Sequence, residues 1–376
     1  MSSAKPPVGS FVRIQKRDLQ SLVDELKAVH DRVVGPREID SAIVYDDLDH
    51  VDQLPIGVID HQEGGVYRLT HESSDSHFDY VVGPQSLKSF LFPPHETISE
   101  SFRKDGQWEI QAMETPATRI AVLGPRACDL RGLAIQDKVF LEGPYVDPGY
   151  KRRRDALFIV AVNCRRSVAT CFCHAMDCGP AVTSHFDLAL TEMDEYFAVE
   201  IGTSAGGEAM DATSWEPMSE TEVAQVKEVS VELEESMRNG TSARQMETGG
   251  IRELLMDNLE HPRWQEVADR CLSCGNCTMV CPTCFCSSAD EVADLSGDHV
   301  RRERSWASCF TAEHSYMHSG NVRKTTRSRY RQWLTHKLAT WQDQFDSSGC
   351  TGCGRCITWC PVGIDLTEEV AAIRGE

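Results

Sequence analysis

Six of the sixteen cysteines in this 376-residue chain fall in one stretch, CLSCGNCTMVCPTCFC at 271–286. Four of these six follow the spacing C-x2-C-x2-C-x3-C and precede a proline, and the same arrangement returns near the C-terminus. The eight residues of the two copies are Cys271, Cys274, Cys277, Cys281, Cys350, Cys353, Cys356 and Cys360. Thiolates at this spacing can wrap a [4Fe–4S] cube, and the run is typical of proteins that carry two such clusters.

The two copies predict two shared ligand sets, because the cysteine before proline turns away from its own run and reaches the other cube. The sets are Cys271, Cys274, Cys277 and Cys360 for cluster 1, and Cys350, Cys353, Cys356 and Cys281 for cluster 2. Zinc also binds four thiolates, but zinc sites usually use separated cysteine pairs. The repeated triple followed by Cys-Pro therefore favours two iron–sulfur clusters.

A further group of cysteines follows two predicted strands of the N-terminal half. Cys128 comes after the apolar run RIAVL, at the start of a predicted helix, where the helix dipole favours a thiolate. Cys164 follows the run ALFIVAV, and the carboxyl ends of neighbouring parallel strands meet at one sheet edge. With Cys171 and Cys173 from the next loop, these residues form a candidate third cluster, although C-x-C is not a standard cluster spacing. Buried free thiols are the alternative.

Four cysteines have no assigned role at this point. Cys178 follows the C-x-C pair closely, and Cys284 and Cys286 complete the opening stretch, while Cys309 lies in RSWASCF. Three thiols fall short of the usual four ligands. We therefore expect the last three to pack around cluster 1 or to tune it through weak S–H contacts.

The elements that position the cysteines are predicted from apolar periodicity. In the segment that starts at Asp18, a helical face carries Leu19, Leu22, Val23, Leu26, Val29 and Val33. RIAVL, the helical pattern at 130–140 and ALFIVAV form a strand–helix–strand unit, and HFDLALTE and YFAVEIG add an antiparallel pair. An α/β N-terminal domain with a mixed, partly parallel sheet is expected.

Beyond residue 250 the apolar pattern is helical, in IRELLMDNL, in SADEVADL with a Ser288–Glu291 capping box, and in YRQWLTHKLATWQDQF and TEEVAAIR. The C-terminal domain is therefore predicted to be all-α and of the helical ferredoxin type. The predicted boundaries are 1–202 for the α/β domain, 203–250 for an acidic linker with one short exposed helix, and 251–376 for the dicluster domain.

Charge and hydropathy exclude several classes of protein. A formal net charge of −20 argues against nucleic acid as a partner. No apolar run could span a membrane or serve as a secretory signal, so a cytoplasmic location is expected. A basic run at 300–337 lies between the two motifs, where it could stabilise anionic clusters or dock an acidic partner. No dinucleotide fingerprint or Walker loop is present, and no flavin, nicotinamide or substrate site is evident.

Together these segments resemble a known family. The features are VVGPQSLKSFLFPP, RACDLRGL, VNC followed by TCFC, FDLALTE and the two ferredoxin motifs. They are similar to the 4Fe–4S dicluster β subunits of cytoplasmic NAD(P)-linked [NiFe] hydrogenases, the sulfhydrogenases, and to the related iron–sulfur subunit of anaerobic sulfite reductase. The resemblance implies a non-catalytic relay subunit. Its partners would be the [NiFe] hydrogenase large and small subunits and a γ subunit that binds FAD and NAD(P). Cys178 is not expected in that family, which favours Cys128 as fourth ligand of the third site.

Three other functions fit parts of the same sequence. The same relay could serve a sirohaem sulfite reductase, and the sequence does not separate the two complexes. An iron–sulfur sensor that binds nucleic acid through the basic run is disfavoured by the charge and by the lack of a helix-turn-helix pattern. A freely diffusing ferredoxin would leave the large α/β domain without a purpose.

Overall fold

The computed structural model describes residues 5–113, 116 and 118–375. Its strands are β1 Phe11–Gln15, β2 Arg32–Ile39, β3 Ala42–Asp47, β4 Val58–Glu63, β5 Val66–His71, β6 His95–Lys104, β7 Gln107–Ala112, β8 Ile120–Leu123, β9 Leu157–Val162, β10 Leu188–Glu192, β11 Tyr196–Ile201, β12 Glu216–Pro217, β13 Ser287–Ala293, β14 His299–Trp306, β15 Tyr316–Met317 and β16 Gly320–Asn321. Its α-helices are α1 Leu19–Val29, α2 Lys88–Leu91, α3 Ala127–Phe140, α4 Pro148–Asp155, α5 Ser204–Ala209, α6 Glu220–Arg238, α7 Ile251–Asp257, α8 Arg263–Arg270, α9 Asn276–Met279, α10 Thr326–Thr335, α11 Trp341–Phe345, α12 Arg355–Thr358 and α13 Leu366–Arg374. A π-helical turn, His336–Thr340, joins α10 to α11.

The N-terminal region is built on a mixed sheet with the strand order β12-β1-β11-β10-β9-β8-β2-β3. The central strands β10, β9, β8 and β2 are parallel to one another, and the outer pairings are antiparallel. β8 and β9 are apolar and almost wholly buried, as expected for parallel strands that are covered on both faces. The mixed, partly parallel sheet predicted from the sequence is confirmed.

Helices cover both faces of this sheet. On one face α1 buries Leu19, Leu22 and Leu26 against the strands. On the other face α3 buries Leu130 and Leu133. Each helix thus shields one side of the sheet from water, and the loops that follow β8 and β9 are left at the sheet edge.

The first helix is shorter than its apolar pattern predicts. α1 ends at Val29, which is 47% exposed, and Val33 lies in β2, where it pairs with Ala121 of β8. The placement of Val33 on the helix was therefore wrong. A β-branched residue such as Val33 fits the apolar periodicity of a helix or of a strand, and pairing with the parallel strand β8 selects the strand here.

A second sheet joins sequence-distant hairpins in the order β13-β14-β6-β7. The segment with the Ser288–Glu291 capping box, predicted to be a helix, is strand β13. It turns at Gly297, which has a φ of +73°, into β14, and β14 pairs with β6 on its other side. The helical prediction was wrong because strand pairing overrides a local capping pattern.

The acidic segment 203–250 is more ordered than the sequence predicts. It contains α5 and the 19-residue helix α6, where one short exposed helix was expected. α6 begins with a capping box between Ser219 and Glu222 and buries Val226, Leu233 and Met237. Its apolar stripe packs on the N-terminal region, while its acidic residues face the solvent.

The C-terminal region contains helices, as predicted, and in addition the four strands β13 to β16. α7, α8, α10 and α13 share a core that contains Trp264, Tyr330, Trp333 and Leu334. In the stretch between the motifs, the helical pattern holds for α10 and α11 but not for the hairpin of β13 and β14. Among the described residues no helix is long and apolar enough to cross a membrane.

Candidate iron–sulfur sites

The four cysteines assigned to cluster 1 lie at the ends of short helices. Cys271 follows α8, Cys277 lies on α9 and Cys360 follows α12, while Cys274 is exposed in the loop before α9. Burial raises the pKa of Cys277, and the thiols of Cys309, Cys271, Cys360 and Cys274 raise it further. The structure thus brings the predicted set together. An apolar pocket next to these thiols is lined by Phe310, Tyr330, Trp333 and Ile364.

The cysteines assigned to cluster 2 converge in the same way. Burial raises the pKa of Cys356, and the thiols of Cys350, Cys353 and Cys281 add to this effect. Burial also raises the pKa of Cys350, to about 12. Cys281, from the first motif, therefore faces three cysteines of the second motif, which is the crossed arrangement that the spacing predicts.

Backbone amides point at the sulfur atoms of both sets. The N–H of Ser273 donates to Cys271 Sγ over 3.4 Å, and the N–H of Gly352 donates to Cys350 Sγ over 3.4 Å. The N–H of Ile364 donates to Cys360 Sγ over 3.3 Å. Hydrogen bonds of this kind stabilise thiolate sulfur and are one of the means by which proteins set cluster potentials.

Cys281 has a cationic neighbour inside the protein. Lys337 Nζ lies 3.2 Å from Cys281 Sγ and 3.8 Å from Cys284 Sγ. A hydrogen bond from Cys284 and the ammonium of Lys337 hold the pKa of Cys281 well below its ordinary value, although burial opposes this. The environment of Cys281 therefore favours the thiolate, the form that binds iron.

The third group of cysteines also meets at one place, at the edge formed by the ends of β8 and β9. Cys128, Cys171, Cys173 and Cys178 are buried in a common cluster with Cys353 of the second motif, and Cys164 packs against it. Burial raises the pKa of Cys173, as do the thiols of Cys171, Cys164 and Cys178. Cys178, which had no role assigned from the sequence, is part of this group, and its Sγ lies 2.9 Å from the carbonyl oxygen of Met176.

The expected thiolate at Cys128 is not supported. Cys128 does lie in the first turn of α3, but burial and the carboxylate of Asp129 raise the pKa of its thiol well above the ordinary value. The desolvation of the thiolate in the protein interior outweighs the helix dipole. A bound metal would be needed to keep this sulfur ionised.

Two buried arginines supply positive charge beside the third group. Arg126 donates to the carbonyl oxygens of Tyr80 and Phe78. Burial raises the pKa of the Cys164 thiol, and the guanidinium of Arg126 offsets part of this rise. Arg355 lies 2.7 Å from Asp129 and is 1% exposed. Its Nη1 atom has no hydrogen-bond partner within the described part of the chain. Buried cations of this kind fit an anionic metal cluster.

The loop that carries the C-x-C pair touches the loop of cluster 2 directly. The N–H of Phe172 donates to the carbonyl oxygen of Gly352 over 2.8 Å. Gly352 has a φ of +66°, and a Cβ atom there would lie 2.6 Å from the backbone nitrogen of Cys173. Thr170 and Thr358 are joined by a hydrogen bond of 2.9 Å between their hydroxyls. The loops of the third group and of cluster 2 are therefore in direct contact.

The remaining cysteines divide between the two motif clusters. Cys309 lies near Cys277 of cluster 1, as expected, and burial raises its own pKa to about 12. Cys284 instead contacts Cys281, which belongs to the cluster 2 set. Cys286 lies among the same charges, since Lys337 and Lys88 lower the pKa of its thiol while burial raises it. The expectation that all three surround cluster 1 therefore does not hold for Cys284.

Four of the nine basic side chains in the run between the motifs are paired with carboxylates of the chain itself. Arg304 binds Glu96 and Asp147, and both Arg327 and Arg331 bind Glu260. Lys337 is the member of the run that contacts a motif cysteine. The paired members of the run thus make structural contacts, and one further charge is directed at cluster 2.

Arg126, Arg355 and Lys88 were not identified from the sequence, whereas Lys337 belongs to the basic run at 300–337 that was expected to stabilise anionic clusters or dock an acidic partner. Arg126 lies two residues before Cys128, and Arg355 lies between two motif cysteines, so proximity to a cysteine was the available signal. For Lys88 no local signal exists, because its partners are distant in the sequence. Within the described ranges no group of three or more His, Cys, Asp or Glu side chains could hold a single metal ion. The four thiolates of a [4Fe–4S] cube each bind a different iron.

Residues 270–364, which include both motifs, match the model of a 4Fe–4S dicluster domain. The chain is therefore an iron–sulfur protein of the electron-transfer type, and iron–sulfur chemistry is favoured over zinc. Over 373 residues it is 27% identical to sulfhydrogenase 2 subunit beta of Pyrococcus furiosus. This similarity covers 97% of the chain and 98% of the relative, so it extends over the N-terminal region as well as the dicluster domain. The resemblance stated from the sequence motifs is confirmed.

Proposed function

We propose that this protein is the iron–sulfur relay subunit of a cytoplasmic NAD(P)-linked [NiFe] hydrogenase. It would pass electrons between a γ subunit that binds FAD and NAD(P) and the hydrogenase large and small subunits. Support comes from the similarity to a sulfhydrogenase β subunit along nearly the whole chain. The protein's own part is to hold clusters, with no catalytic residue, and the boundaries 1–202, 203–250 and 251–376 describe its proposed domains.

The observation that carries a relay is the contiguity of the three cysteine groups. Cluster 1 and cluster 2 would exchange their fourth ligands, and the loop of cluster 2 packs on the C-x-C loop of the third group. Bound [4Fe–4S] clusters would accept and release single electrons. Cys353 of the second motif is buried together with the cysteines of the third group.

The third group is proposed to bind a further [4Fe–4S] cluster through Cys128, Cys164, Cys171 and Cys173. The buried guanidiniums of Arg126 and Arg355 would compensate its negative charge. Cys178 is the competing fourth ligand, since it lies in the same buried group.

Iron analysis of anaerobically purified protein tests the number of clusters. Wild-type protein is expected to hold about twelve iron atoms, and Cys173→Ala about eight. Cys178→Ala is the matched control and should retain about twelve, whereas Cys128→Ala should not. A wild-type content of about eight would contradict the third cluster. Loss of iron in Cys178→Ala but not in Cys128→Ala would identify Cys178, and not Cys128, as the fourth ligand.

The complex is tested by elemental analysis after anaerobic purification from native cells through a tag on this chain. Nickel near one atom per chain, together with iron above the roughly eight atoms of two cubes, is the expected result. Iron without nickel would reject the hydrogenase and favour the second candidate, a relay subunit of an anaerobic sirohaem sulfite reductase. The sirohaem absorption spectrum distinguishes that complex.

A further inference from the structure

Lys337 is held inside the protein by three acceptors that match the three N–H bonds of an ammonium. Its Nζ lies 3.0 Å from the carbonyl oxygen of Gly349, 3.2 Å from Thr283 Oγ1 and 3.2 Å from Cys281 Sγ. Thr283 Oγ1 donates its own proton to the Gly349 oxygen over 2.7 Å, which leaves its lone pairs free to accept from the lysine. The side chain is thus oriented at Cys281 by its surroundings.

Within the part of the chain that the structure describes, no carboxylate forms an ion pair with this ammonium. Lys337 is 3% exposed, and no ion pair found among the described residues joins it to Asp or Glu. Burial of an unpaired ammonium is strongly unfavourable, so a retained buried lysine indicates an anionic partner. The sulfur atom of Cys281 is the acceptor in contact with it that can carry a full negative charge.

A second lysine approaches the same cysteines from the N-terminal region. Lys88 is 5% exposed, and its Nζ donates to the carbonyl oxygen of Met279 over 3.0 Å and lies 3.8 Å from the ring centroid of Trp306. Burial lowers the pKa of Lys88, and the charges of Cys284 and Cys281 raise it. Two buried lysines that are distant from each other in the sequence therefore lie in the environment of Cys281.

We propose that Lys337, assisted by Lys88, is the buried counter-charge of cluster 2 and raises the midpoint potential of that cluster selectively. Because reduction adds a negative charge to a group that is already anionic, a fixed positive charge beside one of its thiolates favours the reduced form. This inference rests on the proposed function, since it takes cluster 2 to be bound by Cys281 and the second motif. Lys337 does not bind the cluster itself, and it acts on the cluster through its contact with the sulfur atom of Cys281.

The test is a potentiometric titration of the anaerobically purified full-length protein, followed by electron paramagnetic resonance of the reduced clusters. In Lys337→Met the ratio of reduced to oxidised cluster 2 at a given potential should fall about tenfold, which is 59 mV for a one-electron couple. The corresponding ratio for cluster 1 should stay as in the wild type. Lys88→Met should lower the cluster 2 ratio by a smaller factor.

The matched control is Lys324→Met, which removes one positive charge from an exposed lysine of the same basic run. It should leave both clusters unchanged, and Lys337→Arg should restore most of the wild-type ratio. Equal shifts of both clusters, or no shift in Lys337→Met, would overturn the proposal. If Lys337→Met fails to retain cluster 2, Lys88→Met decides, and an unchanged ratio there also overturns it. Wild-type protein without [4Fe–4S] signals would contradict the proposed function instead.

Discussion

At the level of single residues, the cysteines of cluster 2 and of the third group lie near buried cations. Lys337 and Lys88 face Cys281, Arg126 lies beside Cys164, and Arg355 lies near Cys353. A thiol buried in an apolar core needs no such partner, whereas a thiolate that binds a cluster does. The burial of these cations therefore fits an anionic cluster at cluster 2 and at the third group.

The assignment of Cys281 as a ligand, with Cys284 as its hydrogen-bond donor, gives the first prediction. Cys281→Ala should lose about four iron atoms per chain, because one cube loses a ligand. Cys284→Ala should retain its iron, since only an S–H contact is removed. Iron analysis and the spectrum of the reduced protein measure both. The opposite result, with iron lost only from Cys284→Ala, would identify Cys284 as the ligand.

Glu192 gives a prediction about pH. Burial raises the pKa of this carboxyl, but hydrogen bonds from His77 and the ammonium of Lys16 outweigh burial and lower it from 4.5 to about 2. The stabilisation is therefore fully present above about pH 4.5 and is lost as the pH falls towards 2. It amounts to about 3 kcal/mol at 1.36 kcal/mol per pKa unit.

Replacement of this carboxylate by an amide should remove most of that stabilisation at neutral pH. We expect Glu192→Gln to lower the free energy of unfolding at pH 7 by a few kcal/mol. Below about pH 4.5 the difference in unfolding free energy between the variant and the wild type should become smaller. Guanidinium unfolding of the cluster-free protein across this pH range measures the gap. A gap that stays constant down to pH 3 would show that the carboxylate charge is not the cause.

At the scale of elements, the contact between the C-x-C loop and the second motif depends on Gly352. A Cβ at this residue would clash with the backbone of Phe172 and Cys173, and its φ of +66° disfavours other residues. Gly352→Ala should therefore weaken both cluster 2 and the third group, with loss of iron from each. Iron content and thermal unfolding are the measurements.

Gly250→Ala is the control for the backbone conformation alone. Gly250 has a φ of +62°, but nothing lies within 4 Å of an added Cβ. The substitution should cost only about 1–2 kcal/mol, the strain of the left-handed conformation, and leave the iron content unchanged. Equal effects in the two variants would mean that the close approach at Gly352 has no role.

The sequence predicts those elements whose partners are near in the chain. The strands around RIAVL and ALFIVAV and the edge with Cys128 and Cys164 follow from local pattern and the parallel-sheet rule. The hairpin of β13 and β14 does not, because its stability comes from pairing with β6, far upstream. The same limit applies to the site. Spacing predicts the motif cysteines, while the partnership of Lys337 with Cys281 arises only when the chain folds.

At the scale of the whole molecule, Arg355 ties the C-terminal region to the N-terminal sheet. This buried guanidinium donates to the carbonyl oxygens of Gly83 and Gln85 over 2.8 Å each and pairs with Asp129 of α3. The second sheet and the turn at Gly65, whose N–H donates to the Ile357 oxygen, add further contacts between the regions. The predicted boundaries at 202 and 250 stay a prediction, and the two regions are extensively joined.

Replacement of Arg355 should weaken the contact between the C-terminal region and the N-terminal sheet and lower the stability of the protein. Arg355→Met leaves Asp129 as an uncompensated buried charge and should cost about 3–5 kcal/mol. The double variant Arg355→Met with Asp129→Asn should recover part of this loss, because the stranded charge is gone. Chemical unfolding of both proteins gives the comparison. A double variant less stable than the sum of the single changes would show that the pair is not the source of the effect.

The sheet β13-β14-β6-β7 has a consequence for synthesis on the ribosome. Phe102 of β6 pairs with His299 of β14, about 200 residues later in the chain. At about 5–20 residues per second, the first hairpin waits roughly ten to forty seconds for its partner strand. During that time its unpaired edge is open to other nascent chains or to a chaperone, so rapid elongation or chaperone cover should matter more for this protein than for a small ferredoxin.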